Sequence, residues 1–110
     1  MITVDRHGTI EVYRPDGALK ADLLAELSES VGKSIMQGRP SILIDLADVI
    51  LLDSSALEWL LDVDRRCALR GGNLVLVGGG ELICEILHLT GVGNRLLWFD
   101  DLAQAMESCI

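Results

Sequence analysis

The sequence predicts an α/β fold, a central mixed β-sheet with flanking α-helices. Apolar runs of strand character alternate with segments of helical period, and Gly and Pro mark the joints between them. Two of the runs, Ser41–Leu46 and Asn73–Gly78, are apolar without clean alternation. That is the pattern of strands covered on both faces and joined by parallel crossovers.

The elements follow in order. Thr9–Pro15, TIEVYRP, alternates like a strand and ends on the turn signal Pro-Asp-Gly. The short ITV before it can pair with it across DRHG, adding a hairpin. From Lys20 to Gln37, residues Leu23, Leu24, Leu27, Val31 and Ile35 recur at three- and four-residue steps. This predicts an amphipathic helix closed by Gly38 and Pro40. After the strand SILIDL, a helix is expected from Asp53-Ser54-Ser55 to about Arg70, stopped by Gly71-Gly72. NLVLVG is a second buried strand. Glu81–Leu89 is a helix, RLLWF a short extended segment, and Asp100-Asp101 cap a last helix carrying Leu102, Ala105 and Met106.

A chain of 110 residues suits one domain, and residues 1–110 are read as such. No apolar stretch approaches the roughly 18–20 residues that cross a bilayer, and acids and a histidine interrupt the N-terminus where a signal peptide would be apolar. A cytoplasmic location and no direct membrane insertion are expected. The net charge of −8 repels phosphate backbones, so no nucleic-acid partner is expected. Cys67, Cys84 and Cys109 are odd in number and widely spaced, which fits a reduced compartment better than a disulfide framework.

The junction Leu51–Leu61, LLDSSALEWLL, holds the candidate site. A buried strand ending in Asp-Ser-Ser before a helix places small polar groups within reach of ligands and partners. The first N–H groups of a helix lack intrahelical acceptors, and its dipole favours negative charge there. A phosphate on a serine at that point would be held by those N–H groups and would bring about −2 of charge. The same residues also fit a plain cap. Ser55-Ala56-Leu57-Glu58 matches the capping box S-x-x-E, in which Ser55 and Glu58 satisfy each other's backbone donors.

Several stretches of the chain resemble the STAS domain family, the module shared by anti-sigma factor antagonists and sulfate transporters. They are ILIDLADVILLDSSALEWLL, RGGNLVLVG, ILHLTGVGNRL and FDDLAQAM. The resemblance runs from residue 42 to the end and is weaker before it. It implies a protein-binding module in a partner-switching pathway that regulates transcription. In such a pathway the antagonist binds an anti-sigma factor that is also a serine kinase. The kinase phosphorylates the second serine of D-S-S and abolishes the complex, and a phosphatase restores it. By resemblance Ser55 is the phosphoacceptor, Asp53 and Ser54 flank it, and Ala56, Leu57, Glu58 and Trp59 form the adjoining contact surface.

The sequence departs from the family at three places near this site. Ala56 and Glu58 stand where the family usually has glycines, in D-S-S-G-L-G, and Lys20 follows Gly17-Ala18-Leu19 where an acid is common. These changes keep a second reading open: a non-switching subunit or scaffold of a larger assembly, such as a phospholipid-transport ABC system. Self-association is left open.

At about 100° per residue, Leu57, Leu60, Leu61, Cys67 and Ala68 share one face of the helix after the serines. Trp59 falls nearly opposite, beside Asp62 and Arg66. It is either an outward interface anchor or packed under a neighbouring segment. Asp64 falls within the apolar face and needs either water or a cation. No metal site is expected from Cys84 and His88, since two ligands without a second cluster are better read as a packed thiol and a surface imidazole. Gly78-Gly79-Gly80 matches no phosphate-loop pattern and reads as a flexible connection. No catalytic residues and no cofactor are expected: neither histidine is placed to activate Ser54 or Ser55, and G-x-S-x-G is absent.

Overall fold

The alternating runs do become a sheet, and the pairing explains why each run reads as it does. The computed structural model describes residues 1–38 and 40–109. The elements are β1 (Ile2–His7), β2 (Ile10–Pro15), β3 (Gly17–Leu19), α1 (Ala21–Ile35), β4 (Ser41–Asp45), β5 (Val49–Leu52) and α2 (Ser54–Leu69). They continue with β6 (Asn73–Val77), α3 (Glu81–Leu89), a 3₁₀ turn (Val92–Asn94), β7 (Leu97–Phe99) and α4 (Leu102–Ser108).

Five strands form the central mixed sheet in the order β1-β2-β4-β6-β7. β1 and β2 are an antiparallel hairpin, and every other pairing is parallel. The hairpin turns at Gly8, whose φ of +65° lies in the left-handed region that glycine enters without a Cβ penalty. Arg14 on β2 links its neighbours across one sheet face, donating to Asp5 on β1 and to Asp45 on β4, the latter at 3.2 Å.

β4 and β6 read as continuous apolar runs because both their faces are covered. Ile42, Ile44, Leu74 and Leu76 point to the core under α1, α2 and α3, where they meet Leu27, Val31, Leu60, Val63, Ile83 and Leu87. The alternate residues Leu43, Val75 and Val77 point to the other face, against Ala105 of α4. Gly72 lets the chain turn into β6 beside Pro40: a Cβ there would strike the Pro40 backbone, and Asn73 donates to the Pro40 carbonyl at 2.9 Å.

A second sheet was not expected from the sequence. β3 and β5 pair in parallel, with Leu19 opposite Leu52. The strand leading into Asp53 is therefore β5, not the central strand SILIDL. The chain leaves β4 at Asp45, turns through Leu46–Asp48 and re-extends. The helix that follows buries Ala56, Leu60, Val63 and Cys67, with Leu57 and Leu61 half-buried and Ala68 exposed. The buried face is thus rotated from the expected one toward the small residue Ala56, which lets the first turn approach the core closely.

Candidate functional site

The β3–β5 ladder builds the site. Because Leu19 and Leu52 are partners, the next residues, Lys20 and Asp53, leave the small sheet side by side. Each is the N-cap of a helix: Lys20 of α1 and Asp53 of α2. The two helix N-termini therefore emerge together. At the first of them Ala21 adopts φ +46°, a left-handed conformation costing on the order of 1 kcal/mol in a residue with a Cβ.

Asp53 caps α2. Its carboxylate accepts the Ala56 amide at 2.9 Å, and its carbonyl accepts the Leu57 amide at 3.1 Å. The expected capping box of Ser55 with Glu58 is thus corrected. Pairing with β3 keeps the backbone extended through Leu52, so the helix starts at Ser54 and Ser55 lies inside it, where it cannot cap. Ser54 and Ser55 occupy the first turn with exposed side chains, and among the described residues neither hydroxyl has a hydrogen-bond partner. The cap falls to a neighbour and both hydroxyls stay available.

Behind Ser55 runs a groove between α1 and α2. One wall is Ala21, Leu24, Ala25 and Ser28; the other is Ser55, Glu58, Trp59 and Asp62. Trp59 is half-buried and packs against the main core, so it forms the floor of this groove rather than an outward anchor. Its indole Nε1 is buried without a hydrogen-bond partner among the described residues. The carboxylates of the groove are Glu58 and Asp62, the latter paired with Arg65 and Arg66, and among the described residues no Lys or Arg lines it. The α1 residues of this wall were not singled out in the sequence, because nothing in α1 alone reveals which helix it meets.

The remaining sequence candidates fall elsewhere. Asp64 is half-buried in a cleft with Leu61, Asp62, Arg65 and Arg95, and loss of water there raises its carboxyl above the ordinary range. Arg65, which lines the same cleft, is engaged by Asp62 at 2.8 Å. Cys84 donates to the Gly79 carbonyl at 3.4 Å and His88 packs on Trp98 at 5.3 Å between ring centroids. The three glycines are not a loose connection. Gly78 donates to Phe99 O at 2.8 Å and accepts from Trp98 Nε1 at 2.9 Å, which pins the β6–α3 corner to β7. Among the described residues no helix is long and apolar enough to cross a membrane.

A family model described as the STAS domain matches residues 1–105. The fold is similar to that of a Thermotoga maritima protein named as a candidate anti-sigma factor antagonist. The TM-score is 0.89 at 21% identity, covering 98% of this chain and 93% of that one. It is also similar to the anti-sigma factor antagonist SpoIIAA in its unphosphorylated form, with TM-score 0.83 at 16% identity over 98% of this chain and 95% of that one. The phosphorylated form of the Bacillus cell fate determinant SpoIIAA gives TM-score 0.76 at 16% identity, covering 98% of both chains. No curated protein matches the chain.

Proposed function

The chain belongs to the STAS domain family, and from that premise we propose that it is a single-domain, cytoplasmic binding module of the anti-sigma factor antagonist kind. It binds an anti-sigma factor that is also a serine kinase, and phosphorylation of Ser55 breaks the complex until a phosphatase reverses it. Its action is association, not catalysis. Asp53, Ser54 and Ser55 form the regulated contact, with Ala56, Leu57, Glu58 and Trp59 adjoining it.

One observation carries this reading: Asp53 takes the capping role and leaves the Ser55 hydroxyl exposed and unbonded at the rim of an apolar-floored groove. A hydroxyl that capped the helix would be tied to its backbone. A free one can be phosphorylated without dismantling the helix start. A dianion there would face Glu58 and any packed partner, at a cost in desolvation and repulsion. SpoIIAA, which shares the fold, has both a phosphorylated and an unphosphorylated form.

The test is intact mass after incubation with ATP and an anti-sigma serine kinase that binds the protein, repeated with Ser55→Ala. One added phosphate of about 80 Da, absent in the variant, supports the switch. Binding without transfer would instead assign the chain to a constitutive assembly, with Ser55 as part of a fixed interface.

A further inference from the structure

We propose that Lys20 is the cationic partner of a phosphate on Ser55, so that this chain holds its own phosphate in cis. The inference rests on the reading of Ser55 as phosphoacceptor and concerns how that site is regulated. Glu58 sits one helical turn after Ser55 and lines the same groove, with Asp62 a turn further on. Glu58 opposes a new dianion, while Asp62 is already engaged by Arg65 at 2.8 Å and Arg66 at 3.8 Å. Asp22, in the first turn of α1, follows the groove residue Ala21 and adds a second like charge nearby.

Lys20 reverses this balance at one point. Leu19 pairs with Leu52, so Lys20 leaves the small sheet beside Asp53, two residues ahead of Ser55. The next residue, Ala21, lines the groove opposite Ser55 itself. Lys20 is exposed, and no carboxylate among the described residues lies within ion-pair distance of it. Among the groove residues and their immediate chain neighbours it is the only Lys or Arg. A four-carbon side chain starting beside Asp53 is long enough to approach the first turn of α2, where helix N–H groups favour an anion. Lys20 and Glu58 then act as a compensated pair. The acid makes the unmodified groove more negative, and the lysine makes the modified serine tolerable.

The experiment uses the full chain with phosphoserine encoded genetically at position 55, so that it does not depend on any kinase. Phosphorus NMR follows the second ionisation of that phosphate in the otherwise unchanged protein, in Lys20→Met and in Lys20→Arg. Lys20→Met is expected to raise this pKa by roughly half a unit, about a threefold change in the acid constant, and Lys20→Arg to keep it low. The same pKa in all three proteins would overturn the proposal. Because Lys20 is exposed, an unshifted melting curve of unphosphorylated Lys20→Met is the folding control. The kinase assay above fails or succeeds independently, which separates loss of this proposal from loss of the switch.

Discussion

The carboxylate of Asp53 accepts the amide of Ala56 at 2.9 Å, and this bond decides what the two serines beside it are free to do. Asp53→Ala removes the cap and should cost about 1 kcal/mol. That corresponds to a fall in Tm of roughly 4–8 °C for a domain of this size. Asp53→Asn keeps an acceptor and should recover most of it. Urea melts of the three proteins check this, and equal midpoints would show that the cap contributes nothing.

Gly93 and Gly32 make an opposed pair. A Cβ on Gly93 would meet the Trp98 ring at 2.9 Å, while one on Gly32, inside α1, meets nothing within 4 Å. Gly93→Ala should cost about 1–3 kcal/mol by displacing Trp98 from the Gly78 carbonyl. Gly32→Ala should gain about 0.5–1 kcal/mol through helix propensity. Thermal melts with tryptophan emission give both signs; a Gly93→Ala protein as stable as wild type would contradict the packing at Trp98, and a destabilised Gly32→Ala would contradict the open space at Gly32.

Loss of water raises the Asp64 carboxyl above the ordinary range. Between its unfolded and folded values the native state binds more protons, so stability falls as pH rises through that window and the deficit persists to neutral pH. Asp64→Asn should therefore be more stable than wild type at pH 7. The gain is reduced by solvent screening, should shrink as pH falls through the raised native value, and should be gone below the unfolded carboxylate value. Paired denaturation curves at pH 7 and pH 3 test it; a gain that grows toward acid would reverse the sign.

Burial, aided by the neighbouring Asp64, pushes the Cys67 thiol up to about 11. In the native protein Cys67 should react with a thiol reagent at pH 8 only through opening of the fold, far more slowly than after denaturation. Above pH 9 the unfolded thiol ionises first, so Cys67 adds a loss of stability between its ordinary value of 9.0 and about 11. Mass-resolved labelling of the three free cysteines would show the protection. Fast native labelling of Cys67 would contradict its burial.

The legible parts of this fold are those whose signal is local. The helix containing Leu27, Val31 and Ile35 and the strands around Leu43 and Val75 declare themselves by period or by unbroken apolarity. β3 and β5 do not, because a three-residue and a four-residue strand acquire meaning only when paired with each other. The cap was misplaced for the same reason. Asp53, Ser54 and Ser55 are all good N-cap residues, and only the ladder ending at Leu52 selects the first of them. Trp59 is placed by α1 as well as by its own helix, so a helical wheel could not settle whether it faces out or floors a groove.

The small β3–β5 sheet also sets when the site can exist during folding. Its strands are separated in sequence by α1 and by β4 with its following turn, so its ladder closes a long loop that local structure cannot form early. The juxtaposition of Lys20 and Asp53 ahead of the two serines therefore exists only once this ladder has closed, and the partly folded chain lacks it. The surface is in that sense a certificate of maturity as much as an address.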